Sequence, residues 1–108
     1  MTTVTIYNDN TGKYIGFDVC GHAEYDNPGY DIVCAAISML VTNTINSIEK
    51  FSGLSVGYES DEEEGVIKFH INDAPNHDSQ LLIDAMILGL SELEKNYKQN
   101  VTLKTEEV

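Results

Sequence analysis

The fold is decided between residues 31 and 51, which read DIVCAAISMLVTNTINSIEKF. Apolar side chains recur there every three or four residues, the spacing that places them on one face of an α-helix. Asp31 suits the N-cap, because its carboxylate can accept hydrogen bonds from the first unpaired N–H groups, and Gly53 can end the helix. This stretch therefore predicts one long helix, whose apolar residues are Val33, Ile37, Leu40, Val41, Ile45, Ile48 and Phe51.

The segments before and after this helix alternate apolar and polar residues, which is typical of half-buried β-strands. The alternating positions before the helix are Val4, Ile6, Ile15, Phe17 and Val19. They lie on either side of a polar turn and predict an opening hairpin. Residues 54–58 and 66–71 predict a second hairpin, joined by the strongly acidic residues 59–65, and residues 101–105 predict a last strand.

A second apolar stripe at helical spacing follows Pro75 and predicts another helix. Its members are Leu82, Met86, Leu90, Leu93 and Tyr97. Asp78 or Ser79 can cap this helix at its beginning. Gly89 interrupts the stripe. Because glycine costs roughly 0.5–1 kcal/mol relative to alanine inside a helix, we expect Gly89 to pack closely against another element.

The order of elements is thus ββαββαβ, which predicts an α+β fold with a mixed, mostly antiparallel sheet packed with two helices. At 108 residues and 12.0 kDa, the chain suits one domain, residues 1–108. Ala35, Ala36, Met39 and Val41 widen the apolar face of the first helix. The wider face is consistent with a homodimer interface and equally with a helix deep in its own domain.

The composition is acidic, with 18 acidic side chains against 6 basic ones and a net charge of −12. This charge disfavours direct binding to nucleic acid or to anionic membranes and fits a basic partner, although solubility alone also explains it. No basic N-terminal segment precedes an apolar run, and no stretch approaches the roughly 20 apolar residues that span a bilayer. Two cysteines are too few for a secreted disulfide framework. We therefore expect a soluble cytoplasmic protein with reduced thiols.

One of the thiols, Cys34, falls in the first turn of the predicted first helix. Helix N-termini present unpaired N–H groups and the positive end of the helix dipole, and they lower cysteine pKa values to roughly 3.5–7.5. The thiolate is the nucleophilic form of cysteine. The alternative is that Cys34, beside Val33, Ala35 and Ala36, is a small buried apolar side chain.

His22 follows Gly21 at the end of the second predicted strand, where side chains leave the sheet and can reach a cleft. Residues 23–30 are polar and rich in turn formers, which suits a surface loop over a site. Such a loop could close on an extended peptide, with Tyr25 and Tyr30 either lining the groove or covering the loop. Catalytic Cys and His side chains are neighbours in space and not in sequence, so this spacing alone does not establish a dyad.

Two short motifs carry a resemblance to a known family. They are Gly21, His22 and Ala23, and the run DIVCAAIS at residues 31–38. Both resemble the bacterial ribosomal-processing cysteine protease family, and the order and lengths of the remaining elements agree with it more loosely. The resemblance implies a cysteine endopeptidase that removes the N-terminal extension of a large-subunit ribosomal protein during ribosome assembly.

The resemblance also implies roles for individual residues. His22 would be the general base and Cys34 the nucleophile, without metal or cofactor. Asp31 and Ser38 match motif positions close to them, and Gly21 would be the hinge of the loop. The thiolate would attack the scissile carbonyl to form a thioester, with N–H groups at the start of the helix as candidate oxyanion donors. The partner would be the basic N-terminal peptide of a ribosomal protein precursor, which an acidic enzyme attracts.

Two other functions remain open on the residues alone. The first is a metal site with ligands drawn from Cys20, His22, Cys34, His70 and His77. These residues lack the paired spacing of recognisable zinc ligands. The second is a non-enzymatic, ribosome-associated module that binds a basic partner through the acidic residues 61–64, which otherwise form a solvated turn.

Two residues near the motif have simpler roles as alternatives. Cys20 lies two residues before His22 and could be a second thiol near the site, but a core-facing cysteine is the preferred prediction. The Ser38 hydroxyl could support the site or could bond to the carbonyl of Cys34, one helical turn earlier.

Overall fold

The structure is a computed structural model and describes residues 1–27 and 31–108. Within these residues the elements follow in the order ββαββαβ. The strands are β1 (Thr2–Asn8), β2 (Tyr14–Cys20), β3 (Val56–Asp61), β4 (Val66–Ile71) and β5 (Val101–Glu107), and the helices are α1 (Ile32–Phe51) and α2 (His77–Asn96). The predicted α+β fold is confirmed.

The strands form one sheet in the order β3-β4-β2-β1-β5. Neighbouring strands are antiparallel except for β1 and β5, which run parallel with Thr2 opposite Val101 and Asn8 opposite Glu107. The sheet is therefore mixed and mostly antiparallel, as predicted. Because β4 and β5 run in the same direction on either side of the β2–β1 pair, they need a crossover connection, and α2 supplies it.

One face of the sheet packs against the helices and forms the core. The buried sheet residues include Val4, Ile6, Phe17, Val19 and Phe69. The opposite face is polar: Asp18 lies opposite Lys68, and the Tyr7 hydroxyl donates to the Asp18 carboxylate at 2.9 Å. This hydrogen bond, together with partial burial and the negative charge of Asp18, raises the pKa of Tyr7 to about 12. The apolar residues of the predicted alternation therefore lie on the face of the sheet that the helices cover.

The predicted ends of α1 are confirmed. One carboxylate oxygen of Asp31 accepts the N–H of Cys34 at 2.9 Å, which makes Asp31 the N-cap. The N–H of Ser52 bonds to the carbonyl of Ile48 at 3.0 Å, and Gly53 follows in the left-handed conformation. A capping carboxylate and a glycine therefore limit the helix, as their residue types indicate.

The sheet-facing side of α1 is buried through Val33, Ile37, Val41, Thr44, Ile45 and Ile48. Of the four residues that widen the apolar face, Val41 is fully buried and the other three are covered less. Met39 is 68% exposed and Ala35 is exposed as well, while Ala36 is half-buried. The described chain therefore does not bury a second side of α1 in its own core.

The length and composition of α1 also differ from expectation. By length and composition alone, its 20 residues are long and apolar enough to cross a membrane. The prediction that no stretch approaches the range of bilayer-spanning helices is therefore wrong. A core helix and a membrane helix share this composition because both have apolar surroundings. In this fold the buried side of α1 packs against the sheet and α2.

The helix α2 begins at a different cap from the predicted ones. Asn76 is the N-cap and not Asp78 or Ser79, because the Asn76 side chain accepts the N–H of Ser79 at 3.0 Å. The Ser79 hydroxyl accepts the N–H of Asn76 at 3.1 Å in return, which completes a capping box. The prediction for Gly89 is confirmed: a Cβ atom there would lie 3.0 Å from Cδ2 of Leu40 in α1.

Two strands differ in extent from the prediction. β3 begins at Val56 because the N–H of Ser55 bonds to the Asp73 carboxylate at 2.6 Å instead of joining the sheet. β3 then continues to Asp61, so the acidic connection shortens to a turn of residues 62–65. β5 extends to Glu107 because its pairing with β1 continues along the whole of β1.

Candidate active site

Cys34 lies in the first turn of α1, at the edge of the core. Its neighbour Val33 and the next-turn residue Ile37 are buried, whereas Cys34 is half-buried. The Cys34 side chain packs against the core and also lines a cavity between α1 and the β3–β4 hairpin. Cys34 is therefore accessible, unlike a fully buried apolar side chain.

His22 lines the same cavity because the chain turns sharply out of β2. Gly21 makes this turn with φ +91°, a left-handed conformation that favours glycine. A Cβ atom on Gly21 would collide with the carbonyl oxygen of Met1. The position of His22 at the end of the sheet thus depends on a residue without a side chain.

The chain after His22 is anchored to the connection between α2 and β5. Ala23 is fully buried, and its carbonyl accepts the side-chain N–H of Asn100 at 2.9 Å. The ring of Tyr25 packs edge-on against Tyr97, with 5.4 Å between the ring centroids. Tyr25 therefore helps to fasten the loop. No local sequence pattern indicates the role of Asn100, because Ala23 lies 77 residues away.

Asp31 ties this loop to α1. One carboxylate oxygen accepts the N–H of Cys34 at 2.9 Å, and the other accepts the N–H of Tyr25 at 3.0 Å. Partial burial acts to raise the pKa of Asp31, but backbone N–H donors outweigh it and hold the pKa below its ordinary value of 3.8. The donors are Cys34, Tyr25, Asp26 and Val33. The negative charge of Asp31 is therefore stabilised by N–H groups beside Cys34.

Two adjoining cavities meet at Cys34 and His22. The inner cavity, of about 350 Å³, is lined by the apolar residues Val19, Ile37, Val66 and Ile67 among others. The outer cavity, of about 770 Å³, carries the carboxylates of Glu24, Asp26, Asp31, Glu62 and Glu63. Cys34 and His22 line both cavities. The junction thus has an apolar side and an acidic side.

The turn between β3 and β4 forms one wall of this junction. His22 Nε2 lies 3.1 Å from the backbone carbonyl oxygen of Glu63. Glu62 lines both cavities. The acidic turn, which the sequence pattern presents as a solvated connection, is therefore also part of the site.

Ser38 lies one helical turn after Cys34 and lines both cavities. The predicted oxyanion donors next to it are already engaged. The N–H groups of Val33 and Cys34 bond to the Asp31 carboxylate, and that of Ala35 bonds to the Asp31 carbonyl at 3.1 Å. These three N–H groups are therefore not free to bind an oxyanion in this arrangement.

Cys20, His70 and His77 lie elsewhere. Cys20 is exposed, so the preferred core-facing orientation is wrong; successive side chains of a strand alternate, and its neighbour Val19 already faces the core. His70 lines a cavity on the polar face of the sheet, and His77 is the first residue of α2. Across residues 1–27 and 31–108, no three His, Cys, Asp or Glu side chains form a group that could hold a metal ion. Tyr30, the other predicted groove residue, lies outside the described residues.

Comparison with known proteins identifies the family. The sequence profile of a family described as cysteine protease Prp matches residues 1–102. The ribosomal processing cysteine protease Prp of Staphylococcus aureus is 31% identical over 105 residues, which cover 95% of this chain and 97% of that protein. The protein of the same name from Bacillus subtilis is 28% identical over 109 residues and covers 97% of each chain.

A crystal structure of the S. aureus protease, in complex with a covalently linked product peptide, has the same fold. It superposes with a TM-score of 0.92 at 28% identity and covers 98% of this chain and 100% of that one. The likeness therefore extends over the whole α+β fold, including the elements that bring Cys34 and His22 to one cavity. Taken with that geometry, the match shows that the chain is a cysteine protease and belongs to the Prp family of ribosomal-processing proteases.

Proposed function

We propose that Cys34 is the nucleophile and His22 the general base of this protease. The observation that carries the proposal is that both side chains line the same two cavities, one from the first turn of α1 and the other from the end of β2. Gly21 and Asp31 support the site, since Gly21 turns the chain and Asp31 ties the loop to the helix. Ser38 supports it from the next turn of α1.

The proposed reaction passes through a thioester. His22 removes the thiol proton of Cys34, and the sulfur attacks the scissile carbonyl carbon and forms a C–S bond. As the tetrahedral intermediate collapses, the C–N bond breaks and His22 delivers the proton to the leaving amine. His22 then deprotonates a water molecule that attacks the thioester. The C–S bond breaks, the carboxylic acid product leaves, and Cys34 regains its proton.

The proposed substrate is the N-terminal extension of a large-subunit ribosomal protein precursor. The names of the S. aureus and B. subtilis relatives describe ribosomal processing. The acidic outer cavity attracts a basic peptide, and the apolar inner cavity accommodates an apolar side chain. The net charge of −12 attracts the same basic partner over a longer range.

Cleavage of a peptide that spans this extension tests the proposal. We expect Cys34→Ala to abolish cleavage and His22→Ala to lower kcat by roughly 10²–10⁴, the range of general acid–base catalysis. Cys20→Ala is the matched control, because it removes the exposed thiol on the polar face and should keep the full rate. Continued cleavage by Cys34→Ala would refute the assignment. Equal loss in all three variants would point to a defect in folding.

The proposal includes a homodimer in the cytoplasm. The exposed apolar side chains Ile32 and Met39 on α1 support an interface between two copies, and the two free thiols suit a reducing compartment. Light scattering should give twice the 12.0 kDa of one chain, and Met39→Glu should shift the mass towards one chain. A single-chain mass for the unmodified protein would contradict the dimer.

A further inference from the structure

We infer that the turn between β3 and β4 positions His22, because the backbone carbonyl of Glu63 accepts a hydrogen bond from Nε2 and leaves Nδ1 as the basic nitrogen. Nε2 and the carbonyl oxygen are 3.1 Å apart. This role rests on the proposed function of His22 as general base. In this role, the backbone carbonyl of Glu63 positions the histidine of the Cys34–His22 dyad.

The chemistry of the two groups decides which nitrogen carries the proton. A carbonyl oxygen only accepts hydrogen bonds, so the nitrogen that faces it must donate. A neutral imidazole has one N–H and one lone pair, and the hydrogen bond to Glu63 places the N–H on Nε2. Nδ1 then holds the lone pair and is the nitrogen that takes the proton of Cys34.

The same contact is compatible with a protonated His22. When Nδ1 accepts the thiol proton, the ring becomes a cation, and the carbonyl dipole faces its remaining N–H. A carboxylate fills this position in Ser-His-Asp enzymes. Asp31, the acidic residue of the family motif, instead directs its two oxygens to the N–H groups of Tyr25 and Cys34.

Gly65 allows the turn to approach His22. Its φ is +66°, and a Cβ atom there would lie 2.6 Å from the carbonyl oxygen of Gly21 and 3.0 Å from Cε1 of His22. The turn is also held by the N–H of Glu64, which donates to the Asp61 carboxylate at 3.1 Å. A side chain at position 65 would therefore press on the imidazole and on the chain that carries it.

The first test compares two glycine variants. Gly65→Ala should lower kcat at least about tenfold while KM changes less, because the displaced ring loses its acceptor. The Nε2–H tautomer of His22 should also lose its population advantage in Gly65→Ala, since the hydrogen bond to the Glu63 carbonyl is broken. Gly12→Ala is the matched control: Gly12 also has a positive φ, +86°, but a Cβ atom there meets nothing within 4 Å. Equal kcat values and equal His22 tautomer populations in the two variants would overturn the inference.

The second test separates the carbonyl of Glu63 from its side chain. Glu63→Gln keeps the carbonyl and removes a carboxylate of the outer cavity. It should raise KM for a basic peptide and leave kcat and the Nε2–H tautomer of His22 unchanged. A loss of kcat in Glu63→Gln equal to that in Gly65→Ala would assign the effect to charge and overturn the backbone role.

A third measurement needs no variant of the turn. In ¹⁵N-labelled protein at alkaline pH, nuclear magnetic resonance should show His22 predominantly as the Nε2–H tautomer. His70 is exposed and provides a reference mixture in the same sample, whereas Nδ1 of His77 contacts the Asp78 carboxylate at 3.3 Å. A tautomer mixture at His22 like that of His70 would overturn the inference. Cleavage that persists in His22→Ala would instead refute the proposed function, so the two failures can be told apart.

Discussion

Asp31 is a single residue that serves both the fold and the site. It caps α1 through the N–H of Cys34, and it holds the loop after His22 through the N–H of Tyr25. A helix cap usually bonds only within its own helix, but here the second oxygen of the same carboxylate bonds to the loop that follows His22. Loss of this side chain should therefore affect the stability of the helix and the position of the loop together.

We predict that Asp31→Ala lowers the free energy of unfolding by about 0.5–2 kcal/mol at neutral pH, the usual cost of losing an N-cap. The pKa of Asp31 is held below 3.8, so its contribution is fully present above that value and is lost as the pH falls through the lower, folded-state pKa. Urea denaturation should show that the difference in free energy of unfolding between the variant and the unmodified protein becomes smaller as the pH falls. Asp78→Ala, in the first turn of α2, is the control. A difference that does not change with pH would contradict the role of the carboxylate.

The two thiols allow a direct comparison of reactivity. Cys34 lies at the start of a helix, in a cavity that His22 also lines, whereas Cys20 lies at the end of a strand. We predict that iodoacetamide alkylates Cys34 at least about tenfold faster than Cys20, because the proposed general base His22 lines the same cavity as Cys34 and can take its thiol proton. Mass spectrometry of the single-thiol variants Cys20→Ala and Cys34→Ala gives the two rates. Equal rates would mean that His22 does not activate Cys34.

At the scale of elements, the site lies where three connections meet. The segment after β2 carries His22, the β3–β4 turn contacts it, and the α2–β5 connection holds the buried Ala23 through Asn100. Each connection follows an element whose position is set by the core. The relative position of His22 and Cys34 therefore depends on packing between elements that are far apart in the chain.

Removal of the Asn100 side chain should test this dependence. In Asn100→Ala the buried carbonyl of Ala23 loses its donor, which should cost about 1–3 kcal/mol of stability. We expect kcat to fall more than KM rises, since the segment that carries His22 is released while the outer cavity keeps its charges. Asn96→Ala, at the exposed end of α2, is the control for stability and kinetics. An unchanged kcat in Asn100→Ala would show that this anchor does not position the site.

At the scale of the whole molecule, the negative charge acts in two ways, through the net charge of the chain and through the carboxylates that line the outer cavity. The net charge of −12 surrounds the protein with a negative potential. The carboxylates of the outer cavity concentrate this potential beside Cys34 and His22. A basic peptide should therefore be attracted to the surface and then to the cavity.

We predict that kcat/KM for a basic peptide decreases with ionic strength, because salt screens this attraction, and that a neutral peptide shows little change. Glu62→Gln should weaken the salt dependence more than Glu107→Gln. Both variants remove one charge, but only Glu62 lines the cavities. Steady-state kinetics at several salt concentrations measures the effect. Equal effects of the two variants would assign the attraction to net charge alone.

The local elements could be predicted from the chain because their causes lie within a few residues. The cap at Asp31, the stripe along α1 and the alternation around Phe17 are properties of neighbouring positions. The predicted element order and the mixed sheet are confirmed on this basis. The N-cap residue of α2 could not be predicted from the sequence, because several residues that favour N-caps lie close together from Asn76 to Ser79.

The arrangement of the site depends on contacts between distant segments. Asn100 meets Ala23 across 77 residues, and Glu63 meets His22 across 41. Such hydrogen bonds leave no periodic pattern, because each joins two residues whose spacing in the chain is arbitrary. The sequence indicated Cys34 and His22 through residue type and family motif. Only the packing of α1, the hairpin and the α2–β5 connection placed both side chains at one cavity, because only a packed core brings these elements side by side.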